Sequence, residues 1–127
     1  MFVYFNPNPY INSVGDCIVR GLAKALNKSW DDVYWGVCYM GFLLADMPSG
    51  NRVWGEYLMR NGFERYQLPN TCPACYTVKQ FCHDNPYGTF VLATGSHAIC
   101  VIDGNYYDSW DSGDEVPICV YRKKDYK

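Results

Sequence analysis

The spacing of apolar residues changes once along the chain, and this change constrains the fold more than any other feature of the sequence. Before about residue 61, apolar side chains recur every three or four positions, which is the spacing of helices that bury one face. From Thr89 onward, short alternating segments are separated by Gly-containing turns, as in strands of an antiparallel sheet. The sequence therefore predicts an α+β domain whose N-terminal helices pack on a C-terminal antiparallel sheet.

The individual elements are placed by their boundary residues. Pro7 and Pro9 exclude a helix from the first ten residues, because proline disfavours helical geometry in the residue before it, so this segment is an extended arm or short strand. We predict helices over residues 16–27, 29–47, 52–61 and 77–84, and strands over 64–68, 89–94, 97–102, 106–109 and 118–122. No repeat or linker divides the chain, so we expect one domain over residues 1–127.

Composition and charge exclude several classes of protein. The 127 residues are 49% hydrophobic and 19% charged, which is enough apolar material for a core and unlike a disordered chain. A net charge of -2 gives no basic patch for nucleic acid. The uncharged stretch 33–45 is shorter than the roughly 20 residues of a membrane span, and the N-terminus does not resemble a secretory signal. We therefore expect a cytoplasmic protein that binds neither nucleic acid nor a membrane.

The seven cysteines do not form the regular even-numbered pattern of a disulfide scaffold, so reduced thiols are expected. Cys72 and Cys75 have the spacing of a zinc knuckle, and Cys82 and His83 follow seven residues later. These four residues are therefore a weak candidate for a zinc site. Structural zinc sites usually have two separated pairs of ligands, a pattern that this sequence lacks. We expect no metal, no redox-active pair and no cofactor.

Cys17 is the candidate nucleophile. It lies in the predicted first turn of the first helix, where unpaired backbone N–H groups and the helix dipole favour the thiolate. Gly15 just before it would let a substrate approach the backbone. A lone cysteine is more often a small buried residue, so Cys17 needs a partner to be functional.

The partner is found on a predicted hairpin. Asp103-Gly104 favours a two-residue type I′ turn, which would pair Ile102 with Asn105. That register puts His97, Asp108 and Trp110 on one face of the sheet, with Asp108 diagonal to His97 and Trp110 opposite it. A three-residue loop would shift the register and bring Asp111 to this face instead. His83 is a poorer base, because it lies near the end of a short polar helix.

A thiol, an imidazole and a carboxylate in this arrangement are what nucleophilic catalysis requires. The imidazole lowers the pKa of the thiol, and the carboxylate fixes the imidazole tautomer. The backbone N–H of Cys17 is one donor for the oxyanion. Asn12 is the preferred second donor, ahead of Asn6 and Asn8, and each of the three asparagines could also be a turn former beside proline.

Two segments of the sequence carry a family resemblance. GDCIVRGLAKALNKSWDDVY and GTFVLATGSHAICVIDGNYYDSWDSGDEVPICVY resemble small papain-like cysteine peptidase domains of the peptidase C39-like kind, found in bacteriophages and bacterial mobile elements. The resemblance covers about half of the chain. It implies a papain-like fold in which Cys17 is the nucleophile, His97 the base and Asp108 the orienting acid. The glutamine of papain-like enzymes would fall on Ile11, which cannot donate a hydrogen bond.

The resemblance implies a peptidase, isopeptidase or amidase that forms an acyl-enzyme on Cys17 in a bacterial host cytosol. Two other functions stay open: a catalytically idle binding module acting as a phage accessory factor, and a cell-wall amidase of the NlpC/P60 type. Trp110, beside Asp108 and opposite His97, either covers the hydrogen bond of the triad from water or is a core residue. Five acids and no base lie between residues 103 and 115, so a peptide or protein substrate with basic residues is a further expectation.

Overall fold

The computed structural model describes residues 1–11 and 15–124, so Asn12, proposed as an oxyanion donor, lies outside the described residues. The described residues form four helices and six strands, close to the predicted elements. The helices are α1 (Cys17–Leu26), α2 (Trp30–Leu44), α3 (Asn51–Arg60) and α4 (Val78–Asp84). The strands are β1 (Phe2–Tyr4), β2 (Phe63–Gln67), β3 (Thr89–Ala93), β4 (Ala98–Ile102), β5 (Asn105–Asp108) and β6 (Cys119–Lys123).

The six strands form one mixed sheet in the order β1-β5-β4-β3-β6-β2. The α+β class is confirmed, but the prediction of a wholly antiparallel, C-terminal sheet is wrong in two respects. The N-terminal arm adds β1 to one edge, parallel to β5, with Tyr4 opposite Asp108. The strand after α3 adds β2 to the other edge, antiparallel to β6. Both edges of the sheet therefore come from residues before the four central strands.

Helices cover both faces of the sheet. The three helices α1, α2 and α3 pack on one face, where alternate strand residues such as Val91, Cys100 and Tyr121 are buried. On the opposite face, α4 contributes Val78 and Phe81 to a second cluster with the intervening strand residues. The central strands are buried on both sides because successive side chains point to opposite faces.

The hairpin between β4 and β5 has the predicted geometry. Asp103 and Gly104 both have positive φ, 49° and 78°, as a type I′ turn requires. Ile102 pairs with Asn105, which confirms the predicted register. This register decides which side chains of the two strands share a face with His97.

The cysteine predictions are partly wrong. Cys72 and Cys75 form a disulfide in an exposed loop, whereas reduced thiols were expected. The loop brings the two thiols together because Thr71 and Asn70 fold it back on itself through hydrogen bonds to Ala74 and Cys72. The five other cysteines are free. The weak zinc candidate is not assembled, since Cys72 and Cys75 are bonded to each other, and no group of three or more possible ligands occurs within residues 1–11 and 15–124.

Candidate active site

Cys17 is the first residue of α1, and its side chain is half-buried. At this end of the ten-residue helix, the first backbone N–H groups have no partner within the helix. Gly15 is exposed, and a Cβ built on it would meet no atom within 4 Å. The start of α1 is therefore open to a molecule approaching Cys17.

His97 immediately precedes β4, and helix packing brings it to Cys17. The helix α1 crosses β4 so closely that a Cβ on Gly21 would lie 3.5 Å from the carbonyl oxygen of Ala98. In this position Cys17 lies close enough to the His97 side chain and to the backbone of Ala98 for both to lower its pKa. The thiol and the imidazole come from residues 80 positions apart in the chain, and the α1–β4 contact joins them.

Asp108 ends β5 and holds the other side of the imidazole. Its Oδ2 lies 2.5 Å from His97 Nε2 and accepts a 2.8 Å hydrogen bond from Ser112 Oγ. Its Oδ1 accepts a 2.7 Å bond from the backbone N–H of Ser109. Since Nε2 faces Asp108, Nδ1 is the ring nitrogen left for Cys17. The predicted contact between His97 and Asp108 is present, and Asp108 is only 3% exposed.

The reserve choice, Asp111, is not at the site. Its Oδ1 accepts hydrogen bonds from Tyr106 Oη at 2.5 Å and from the backbone N–H of Gly113 at 3.1 Å. Tyr106 belongs to the apolar cluster under α4, on the face of the sheet opposite the face that α1 covers. The two-residue turn thus selects Asp108 rather than Asp111 as the partner of His97.

The site favours a thiolate and an imidazolium. Burial alone would raise the pKa of Cys17, but hydrogen bonds from His97 and Ala98, with the positive charges of His97 and Arg20, lower it below its ordinary value. Burial alone would lower the pKa of His97, but hydrogen bonds to Asp108 and Cys17 and the attraction of their negative charges raise it to about 9. These opposite shifts favour a thiolate–imidazolium pair over the neutral pair.

A buried arginine lies behind the triad, and sequence reasoning did not single it out. Arg20 forms an ion pair with Asp16, and its Nη2 is 3.7 Å from Asp108 Oδ1. Arg20 is 6% exposed. It therefore connects the residue before the thiol to the carboxylate that orients the imidazole. The spacing of four between Asp16 and Arg20 was the available signal, because it places the two on one side of a helix.

Asp16 contacts other elements instead of capping α1 with its side chain. Asp16 stands at the N-cap of α1, but its side chain makes no capping hydrogen bond. Its carboxylate instead pairs with Arg20 and accepts hydrogen bonds from Trp30 Nε1 at 2.8 Å and Asn8 Nδ2 at 3.2 Å. The Asp16 carboxylate does not cap the helix, because the buried guanidinium binds it more strongly than the backbone N–H groups would. Asp16 thereby fastens the start of α1 to the N-terminal arm and to α2.

Of the expected oxyanion donors, Asn6 and Asn8 lie within the described residues, and both make other hydrogen bonds. Asn8 directs its amide nitrogen to Asp16, and its Oδ1 accepts from the backbone N–H groups of Tyr10 and Ile11. Asn6 Oδ1 accepts a hydrogen bond from the backbone of Asn8. Both side chains act within the arm, as turn-forming asparagines do. The backbone N–H of Cys17 is the donor that the position of α1 provides.

Trp110 lies over the imidazole, as the hairpin register predicts. The two ring centroids are 5.1 Å apart and the planes are inclined by 34°. The His97 side chain is 9% exposed, whereas Trp110 is 47% exposed. The indole therefore separates the His97 ring from solvent and remains accessible on its outer side.

A small apolar groove adjoins the start of α1. It has a volume of about 190 Å³ and lies between α1, α2 and the turn before α3. Its lining includes Gly15, Ile18, Tyr34, Val37 and Pro48. Because Gly15 is two residues from Cys17, a chain bound across the thiol could place an apolar side chain in this groove.

The acidic stretch does not line the site, so the argument for a basic substrate fails. Asp103 accepts a hydrogen bond from Gly88 N in the hairpin region, Asp108 is the buried triad residue, and Asp114 pairs with Lys79. The contacts of these three acids lie in different parts of the molecule: the hairpin turn, the triad and α4.

Comparison of the chain with protein-family models, curated proteins and solved structures gave no match. The part of the chain that the structure describes contains no helix with the length and apolar character needed to span a bilayer.

Proposed function

We propose that the protein is a thiol hydrolase of papain-like architecture that cleaves peptide, isopeptide or related amide bonds through an acyl-enzyme on Cys17. The observation that supports this most directly is the alignment of Cys17, His97 and Asp108: His97 Nε2 lies 2.5 Å from Asp108 Oδ2, and the imidazole is near enough to Cys17 to lower the pKa of the thiol. This row of three side chains begins at the open N-terminus of α1 and ends at the Asp108 carboxylate, which is 3% exposed. Burial of an acid beside an imidazole is typical of a group that orients a base.

In the proposed mechanism, the Cys17 thiolate attacks the carbonyl carbon and the electron pair of the C=O bond moves to oxygen. The backbone N–H of Cys17 stabilises that oxyanion. Collapse of the intermediate breaks the C–N bond, and the imidazolium of His97 gives its proton to the leaving amine. Neutral His97 then takes a proton from water, whose oxygen attacks the thioester and releases the carboxylic acid and Cys17.

The architecture of the site also supports the papain-like proposal. The nucleophile opens the first helix, the base begins a central strand and the acid ends the adjacent strand, in the order that the sequence resemblance implies. The apolar groove beside Gly15 favours a substrate with an apolar side chain near the scissile bond. A preference for basic substrates is not part of the proposal. On the same resemblance, we place the enzyme in a bacterial cytosol.

A panel of peptide and amide probes tests the proposal. Peptides carrying a carbonyl electrophile should add one probe mass to Cys17, and amide-linked fluorogenic peptides should be hydrolysed with an acyl-enzyme detectable by mass spectrometry. Short peptidoglycan stem peptides in the same panel test the cell-wall amidase alternative. Cys17→Ser should lose both signals. Covalent capture at Cys17 without hydrolysis of any member of the panel would instead assign the protein as an idle binding module.

A further inference from the structure

The outward side of α2 is an exposed aromatic surface. Trp35, Tyr39 and Phe42 follow one another at spacings of four and three, so they lie on one side of the helix. They are 71%, 64% and 81% exposed. Leu43 and Met47, at 48% and 69%, extend this surface toward the C-terminal end of α2. We refer to these five side chains as the α2 stripe.

The stripe is unusual because α2 is apolar on both sides. Its inner side buries Val33, Val37 and Met40 in the core, as expected for a helix of this domain. A helix that is apolar all round normally has a partner on each side. At about 150–250 Å² per aromatic side chain, the exposed fractions of Trp35, Tyr39 and Phe42 leave roughly 300–550 Å² of aromatic surface in water, and Leu43 and Met47 add to it. This surface is comparable with the largest patch on a typical monomer, roughly 300–600 Å², which often has a function.

The charges around the stripe argue against a membrane surface as the partner. Residues 30–44 contain no Lys or Arg, and the charged residues of α2 are Asp31 and Asp32, at its N-terminal end. Helices that bind lipid headgroups carry basic residues along their polar side. At the C-terminal end of α2 lies a mixed pair, Asp46 with Arg52, whose Nη1 is 3.5 Å from the Asp46 carboxylate.

We propose that the α2 stripe is the contact surface of a homodimer formed with a second copy of this chain. The exposed area is a substantial part of the roughly 800 Å² per partner of a standard interface, and a two-fold axis requires one surface that complements itself. An axis passing near Tyr39 makes two copies of α2 antiparallel. Trp35 then faces Leu43 of the second copy.

The same axis brings the mixed pair of Asp46 and Arg52 in one copy to the acidic N-terminal end of the other α2. Asp32 lies seven residues before Tyr39 and Asp46 lies seven residues after it. In the antiparallel pair, the acidic N-terminal end of one α2 therefore meets the Arg52 guanidinium beside Asp46 of the other. The Arg52 side chain is 64% exposed and available for this contact. Two such contacts, one at each end of the stripe, would fix the antiparallel orientation.

Sedimentation velocity over about a hundredfold range of concentration tests the dimer. The unaltered chain should sediment as a dimer whose dissociation constant rises at least about a hundredfold in Phe42→Glu, because a charge would enter the apolar contact. Tyr87→Glu is the matched control: Tyr87 is 83% exposed but lies outside the stripe, and the control should stay dimeric. An unaltered chain that is monomeric throughout, or a dimer unaffected by Phe42→Glu, would overturn the proposal.

A charge exchange tests the orientation of the two helices. Arg52→Glu should weaken the dimer, and Asp32→Arg added to Arg52→Glu should restore most of the affinity. Failure of that rescue would overturn the antiparallel arrangement. All variants should react with iodoacetamide at Cys17 at the rate of the unaltered chain, so the result does not depend on the proposed hydrolase activity.

Discussion

His97 and other neighbours lower the pKa of Cys17, whereas burial raises the pKa of Cys82, Cys100 and Cys119, and this predicts selective reactivity. At about pH 6, iodoacetamide should label Cys17 at least about tenfold faster than Cys38, because the pKa of Cys17 is lowered and only the thiolate reacts. Cys38 is the appropriate internal reference, since it too is a free, half-buried thiol. Peptide mapping after timed quenching measures both rates.

His97→Ala should reduce the rate at Cys17 to that of an ordinary thiol. Faster labelling of Cys38 in the unaltered protein, or an unchanged rate at Cys17 after removal of His97, would mean that the ion pair does not govern reactivity.

Asp108 acts through the imidazole, so its replacement should separate turnover from labelling. Asp108→Asn is expected to reduce hydrolysis of an amide probe by about 10²–10⁴-fold, because the ring loses its oriented, charged partner. The rate of Cys17 alkylation should fall by less than about tenfold, since alkylation needs no proton transfer to a leaving group.

Asp111→Asn is the matched control, because Asp111 contacts Tyr106 rather than His97. Equal losses of hydrolysis in the two variants would contradict the assignment of Asp108.

Arg20 is the residue on which the surroundings of the triad depend. Arg20→Met would leave Asp16 and Asp108 buried without this cation, and we expect the free energy of unfolding to fall by about 3–5 kcal/mol. Arg20→Lys should restore part of that stability. The Lys variant should also keep the alkylation of Cys17 at low pH, because positive charge at this position lowers the pKa of Cys17.

Arg60→Met provides the comparison for urea denaturation. Arg60 pairs with Glu56 at the same spacing of four, but its side chain is 55% exposed, so the loss should stay below about 1 kcal/mol. Similar losses for the two arginines would show that the buried pair does not have the proposed importance.

At the scale of elements, the packing of α3 on β6 requires a glycine. Replacing a helical Gly with Ala usually stabilises a helix by about 1 kcal/mol. A Cβ on Gly55, however, would lie 2.3 Å from Tyr121 Oη and 3.1 Å from its Cζ. We therefore expect Gly55→Ala to lower the free energy of unfolding by about 1–3 kcal/mol, measured by urea denaturation.

Adding Tyr121→Phe should recover part of that loss, because it removes the nearer of the two atoms. If the double variant is no more stable than the summed effects of the two single substitutions predict, the contact between residue 55 and Tyr121 is not the cause of the loss.

The sequence predicts some elements in detail and leaves the position of others open. The β4–β5 hairpin was predictable in detail, because Asp103-Gly104 restricts the backbone to one turn and thereby sets the register that joins His97 to Asp108. The edge position of β1 was not, because three residues beside two prolines carry no signal for a parallel partner 104 residues away. Of the two partners of Arg20, Asp16 is indicated by the spacing of four, whereas Asp108 is not, because it lies on a different element.

At the scale of the whole molecule, the His97 ion pair makes stability depend on pH. The pKa of His97 is about 9 in the folded protein against an ordinary 6.5, so its contribution is fully present below pH 6.5 and is lost as pH rises through about 9. Cys17 has the opposite sign, because a lowered pKa stabilises the fold at high pH and that contribution is lost as pH falls.

The comparison is therefore made in a Cys17→Ser background, where only the histidine contribution remains. His97→Gln should cost on the order of 2 kcal/mol more at about pH 6 than at about pH 9.5, as measured by urea midpoints. His83→Gln serves as the control, since the His83 side chain is 90% exposed. A cost that grows with pH would contradict the assigned direction.

The order of strands in the sheet has a consequence for the protein during its synthesis. The four central strands, β3 to β6, are translated after α1, α2 and α3, yet the sheet face on which those helices pack is built largely from them. A ribosome-bound chain that has reached α4 therefore carries the thiol of Cys17 without its base and without its carboxylate. The order of translation therefore separates the thiol of Cys17 from His97 and Asp108 until the C-terminal strands have left the ribosome.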